Sequence, residues 1–106
     1  YCYGETIYVP YQQKIPEDIL KHEEAHIEQQ RGIEPKVWWN RYLENKDFRL
    51  EMELNAYAVQ YNWIKENYTA KGSKLALNEL AENLSMKYAL NIDFNKAHSL
   101  IRHYSK

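Results

Sequence analysis

Residues 20–32 read LKHEEAHIEQQRG, with two histidines four positions apart and a glutamate directly after the first. Pro16, then the acidic pair Glu17 and Asp18, make a strong helix start, and Gly32 after Arg31 is a natural stop. At about 100° per residue, Ile19, Leu20, His22, Glu23, His26, Ile27 and Gln30 fall within an arc of roughly 160°. Lys21, Glu24, Glu28 and Arg31 lie on the other side. Both imidazoles therefore face inward with the core residues, Glu23 points in beside them, and Glu24 points to solvent.

An inward face with two imidazoles and a carboxylate costs several kcal/mol unless those groups are paired or bind a metal. Histidines at i and i+4 aim their ring nitrogens at a common point. The residue after the first histidine places a carboxylate within reach of a metal-bound water. Zinc lowers the pKa of such a water toward about 7, and Glu23 can take its proton as it attacks a carbonyl. The metal-free alternative is a helix whose His22 and His26 are satisfied by side-chain hydrogen bonds.

The rest of the chain extends the helical reading. Residues 5–9 alternate in strand fashion before Pro10, giving one short N-terminal β-strand or hairpin. Pro35 opens a second, shorter helix over KVWWNRYLEN, and a long helix runs from about residue 48 to 68, with an apolar stripe of Leu50, Leu54, Tyr57, Tyr61, Ile64 and Tyr68. The Gly72-Ser73 pair breaks it. Ser73 can cap a fourth helix carrying Leu77, Leu80, Ala81, Leu84 and Tyr88, and Asp93 a fifth carrying Phe94, Ala97, Ile101 and Tyr104. The expected fold is mainly α, with about five helices and a minimal β element.

Composition sets the limits. A chain of 106 residues, 44% apolar, is long enough for one core and too short for two. Its 14 Lys and Arg against 15 Asp and Glu give no field that would recruit nucleic acid or an anionic membrane. Nor is there a membrane-span-length apolar run or a secretory leader, so a cytoplasmic chain is expected, with no nucleic-acid or membrane partner. The start at Tyr1 rather than Met points to a piece of a longer chain with a further domain upstream. A lone Cys2 excludes an internal disulfide and a multi-cysteine zinc site, so any metal sits on histidines and carboxylates.

A catalytic zinc takes three protein ligands and an open position. In FRLEMELNAYA, Glu53 lies on the inner flank of the long helix beside Leu50 and Tyr57, and Glu51 on the opposite flank. Either can be an ordinary surface charge. HEEAHIEQQ, followed after a Trp-rich segment by ELNAYA, resembles the gluzincins, zinc metallopeptidases with HExxH on one helix and a third-ligand glutamate on the next. The resemblance covers about residues 5–60 and implies one minimal zincin-like domain over residues 1–106, of bacterial or phage type. It implies Zn2+ held by His22, His26 and Glu53, Glu23 as general base, and a peptide or protein substrate lying along the residue 5–9 strand.

Two departures from the family pattern stand out. Its second helix often reads Glu, two residues, Ala, then Asp; here Glu53 and Ala56 match, but Tyr57 stands where the Asp braces the first histidine. Support for His22 must then come from a backbone carbonyl, a Tyr hydroxyl or Asn55. The sheet that usually precedes the motif helix is reduced to residues 5–9. For the donor that stabilises the oxyanion, His98 on the inward side of the last helix is the candidate, its alternative being a core histidine bonded to backbone. Gln29 and Gln30 either finish the motif helix or brace the site. Against the peptidase stands a second function, a non-catalytic helical binding module stapled by zinc.

Overall fold

The computed structural model describes residues 1–8 and 14–105. Five helices follow a small hairpin: β1 (Cys2–Tyr3), β2 (Thr6–Ile7), α1 (Glu17–Gln29), α2 (Pro35–Glu44), α3 (Lys46–Asn67), α4 (Ala70–Lys87) and α5 (Phe94–Tyr104). The expected mainly α fold with an N-terminal hairpin is the one observed. The strand expected at residues 5–9 is two residues long and pairs antiparallel with β1, Cys2 opposite Ile7. Val9 lies outside the described residues.

Helix ends follow local chemistry. Pro16 precedes α1, with Glu17 and Asp18 in its first turn, and the chain leaves through Gly32 at φ 81°, a left-handed turn that glycine makes without strain. A single residue, Asn45, joins α2 to α3, and its side chain accepts from the Phe48 N–H at 3.0 Å. The expected break at Gly72-Ser73 is a correction: α4 begins earlier. Thr69 is its cap, accepting from the Gly72 N–H at 3.0 Å, and Ser73 is buried one turn inside. Asp93 caps α5 as expected, through the Lys96 N–H.

The long helix α3 is the axis of the molecule, because its buried residues lie on several faces rather than one. One side packs on α4 and α5 to form the apolar core of Leu54, Tyr57, Ile64, Leu77, Leu80, Ala81, Leu84, Leu90, Ala97 and Ile101. Tyr68, at the end of the expected α3 stripe, and Phe94 and Tyr104 of α5 are exposed instead. The other side of α3 packs on α1 and α2 and carries the polar cluster described below.

The contact face of α1 is narrower than its wheel suggests. His22, Ala25, His26 and Gln30 are buried, while Ile19 at its edge is exposed. Gln30 ties down the hairpin: its Oε1 accepts from the Gly4 N–H at 2.6 Å, and its Nε2 lies 3.3 Å from Cys2 Sγ. The Trp39 indole N–H adds a bond to the Cys2 carbonyl at 3.0 Å. A two-residue hairpin too small to be stable alone is held in this way over the end of α1. Among the described residues no helix is long and apolar enough to cross a membrane.

Candidate metal centre

The α1–α3 packing brings His22, His26 and Glu53 together, with one ligand atom of each lying within 4.8 Å of the others. All three are buried, Glu53 to 3% exposure. His22 Nε2 is 3.2 Å from Glu53 Oε1, and His26 Nε2 is 3.2 Å from Glu53 Oε2. Glu51, on the opposite flank of α3, is exposed.

The second nitrogen of each ring is held by a glutamine. His22 Nδ1 lies 3.1 Å from Gln60 Oε1, and Gln60 Nε2 donates to Asp18 Oδ2 at 2.8 Å. His26 Nδ1 lies 2.8 Å from Gln29 Oε1, and Gln29 Nε2 donates to the Met52 carbonyl at 2.9 Å and to Asn55 Oδ1 at 2.8 Å. The carboxylate and the carbonyl only accept, so each amide must turn its nitrogen toward them and its oxygen toward a ring. Both imidazoles are thereby fixed as Nδ1–H donors, which leaves both Nε2 atoms facing Glu53. Two ring acceptors and a carboxylate aimed at one point require a proton or a cation between them.

Without a metal, a proton fills that role. Burial alone would lower the His26 pKa, but the hydrogen bond and charge of Glu53 outweigh it and raise the value above the ordinary one. Burial likewise works to raise Glu53, yet the bonds from His22 and His26 hold it well below the usual carboxylate range. The Tyr42 hydroxyl donates to Glu53 Oε2 at 2.5 Å. Tyr42 is thus a residue of the site that sequence reading missed, as is Gln60. Asn55 braces His26 through Gln29 rather than His22, and Tyr57 meets the His22 ring edge-on at 4.4 Å.

Glu23 and Glu24 separate as their wheel positions require. Glu24 is exposed, 3.7 Å from Lys21 Nζ, while Glu23 is partly buried, its Oε2 without a hydrogen bond among the described residues but 4.0 Å from the Tyr1 ammonium. Glu23 lines a cavity of about 230 Å³ with all three clustered residues and with Cys2, Trp38, Tyr42 and Tyr88. A second cavity, of about 270 Å³ between α1, α3 and α4, also reaches His22, Glu23 and Tyr88. Burial first, then the charge of Glu23, pushes the Cys2 thiol up to about 11, so it stands in the wall as a neutral group. His98 lines neither cavity. It sits on α5 with its ring 5.8 Å from that of Phe94.

No family model, curated protein or solved structure matches this chain.

The geometry around Tyr88 is set by strain and by Arg49. Ala89 and Asn91, just beyond the end of α4, have φ of 53° and 62°, left-handed values that non-glycine residues rarely adopt. Arg49 holds this turn: Nε donates to the Tyr88 carbonyl at 2.8 Å, and Nη1 to the Tyr42 carbonyl at 2.9 Å. One guanidinium thus links the two tyrosines that stand in the cavity wall. The Tyr88 and Tyr57 hydroxyls are 2.7 Å apart. One mutual bond uses one of their two protons, leaving the other for an acceptor in the cavity.

Proposed function

We propose that this chain is a zinc-dependent metallopeptidase of gluzincin type. The observation that carries the reading is the pair of locked imidazoles: both Nε2 atoms and the Glu53 carboxylate point at one buried spot, with Nδ1 of each ring occupied by Gln60 or Gln29. Neutral Nε2 donors and a carboxylate are a ligand set that zinc takes in hydrolytic enzymes. Among the described residues no fourth His, Cys, Asp or Glu joins the group, which favours an open catalytic position over a closed structural one.

A zinc ion held there supplies a water of lowered pKa and an electrophile for a carbonyl oxygen. The chain's own groups do the rest. Glu23, which lines the cavity with its Oε2 4.0 Å from the Tyr1 ammonium, accepts the proton of the attacking water and passes it to the leaving amine. Tyr42 orients Glu53, and Gln60 and Gln29 keep the rings in the binding tautomer. For the donor to the developing oxyanion, the spare hydroxyl proton of the Tyr57–Tyr88 pair is better placed than His98, because Tyr88 lines both cavities that reach Glu23.

Metal content by plasma mass spectrometry, on protein purified without a metal-affinity tag, tests the centre. About one zinc per chain is expected in the wild type and far less in His26→Ala and Glu53→Ala. Glu23→Gln should keep its zinc and lose hydrolysis of every peptide the wild type cleaves; retained turnover in that variant overturns the mechanism.

A further inference from the structure

Glu53 brings two oxygens to the centre, and their surroundings differ. Oε1 lies 3.2 Å from His22 Nε2 and 3.3 Å from His26 Nε2, so it is the oxygen that both rings share. Oε2 lies 3.2 Å from His26 Nε2 and accepts the Tyr42 hydroxyl at 2.5 Å. With zinc–nitrogen bonds of about 2.0–2.1 Å and a zinc–oxygen bond of about 2.0–2.2 Å, two ligand atoms of a tetrahedral site stand about 3.3–3.5 Å apart. Both distances from Oε1 are close to that edge, so Oε1 stands near ligand spacing from each ring.

Tyr42 keeps Oε2 out of the same role. The residue is 8% exposed, and among the described residues its hydroxyl donates to nothing else. Turning Oε2 onto a metal would strand that buried donor. The phenol cannot follow the carboxylate, because its ring is fixed on both sides. It stacks on Trp38 with centroids 5.1 Å apart and meets Trp39 edge-on at 5.1 Å. The Tyr42 carbonyl is held as well, by Arg49 Nη1 at 2.9 Å.

We propose that Tyr42 is a positioning residue that makes Glu53 a one-oxygen ligand, with Oε1 on the metal and Oε2 kept by the phenol. This role rests on the metal reading above. A carboxylate that binds through one oxygen leaves the centre with three protein donor atoms and a fourth position free for water. Binding through both oxygens would add a fourth protein bond and weaken the metal as an electrophile.

The test replaces zinc with cobalt(II), whose visible bands are strong in a four-coordinate site and weaken as further ligands bind. Wild type loaded with about one cobalt per chain should show the strong bands. Tyr42→Phe deletes only the hydroxyl; it should load equally and show clearly weaker bands as Oε2 joins the metal. Equal bands in the two proteins overturn the role of Tyr42 and leave the centre standing. Weak bands in the wild type overturn the one-oxygen assignment itself. If Tyr42→Phe does not fold, infrared spectra of wild type carrying 13C-carboxyl glutamate decide the matter. The Glu53 bands that change on zinc loading should then be a widely separated asymmetric and symmetric pair, and the pair should move when the protein is prepared in D2O. A narrow pair overturns the one-oxygen assignment, and a pair unmoved in D2O overturns the hold of the phenol. A wild type that takes up neither metal overturns the centre, and this role with it. None of these measurements depends on turnover, so a protein that holds metal through one Glu53 oxygen and cleaves no peptide fails the peptidase reading alone.

Discussion

Gln60 and Asp18 are joined by a 2.8 Å bond from the Gln60 amide nitrogen to the Asp18 carboxylate, and that bond turns the amide oxygen toward His22. A residue on α1 thus sets, through α3, which nitrogen of an α1 histidine carries the proton. Gln60→Leu should leave His22 free to rotate and to exchange tautomers. Zinc affinity is then expected to fall by about 10- to 100-fold, measured by competition with a chromogenic chelator. Asp18→Asn can still accept, but its amide can also present a donor, so a smaller loss is expected there.

Tyr42 supplies a partner of Glu53 Oε2 beside His26. Tyr42→Phe keeps the ring that stacks on Trp38 and deletes only the hydroxyl. With Glu53 buried to 3% exposure, the metal-free variant should lose about 1–3 kcal/mol of stability in denaturant unfolding. Zinc binding should compensate part of that loss, because the cation takes over the partnering of the carboxylate.

The metal-free and zinc-bound proteins should respond to pH in opposite directions above neutrality. Glu53 is depressed from its ordinary 4.5, so its contribution to folding is present above about that pH and is lost on acidification through its lower folded value. His26 is raised from 6.5, so its contribution is complete below 6.5 and is lost as pH rises through the raised value. Melting temperature in the presence of chelator should therefore peak between about 4.5 and 6.5. With zinc in excess the alkaline decline should become a gain, because the metal needs neutral imidazoles. Parallel curves with and without zinc would exclude His26 as a ligand.

Arg49 bridges the end of α2 to the turn after α4 through the Tyr42, Leu43 and Tyr88 carbonyls, and through Ala89 at 3.4 Å. Arg49→Met keeps the aliphatic stem and removes the fork. The expected cost is about 1–3 kcal/mol, because two partly buried carbonyls and two exposed ones lose a charged donor together. Arg49→Lys should recover only a fraction, since one ammonium cannot span the fork. Thermal unfolding measures the stability, and any hydrolytic activity should fall in step as Tyr88 and Tyr42 drift apart.

Helical periodicity made much of this molecule legible. One turn of α1 determined that His22, Glu23 and His26 share a face and that Glu24 does not; the flank of α3 set Glu53 beside the apolar stripe, and its place as a candidate ligand came from the gluzincin resemblance. Proline and aspartate marked helix starts, because capping is a short-range matter of one side chain and one N–H. The same locality explains the miss at α4, where Thr69 and Ser73 both offered a hydroxyl and only the packed helix showed which is used. A wheel gives the face a residue occupies, not the neighbour opposite it. His98 had the right face on the wrong helix, and its ring meets Phe94 instead. Gln60 braces His22 across 38 residues of chain and Tyr42 reaches Glu53 from the next helix, with no periodic signal announcing either. The inward set of His22, Glu23 and His26 was therefore written in the spacing of the sequence. What holds that set in register, and what faces its open side, was decided by how α1, α2 and α3 cross, because those contacts depend on interhelical angle and depth.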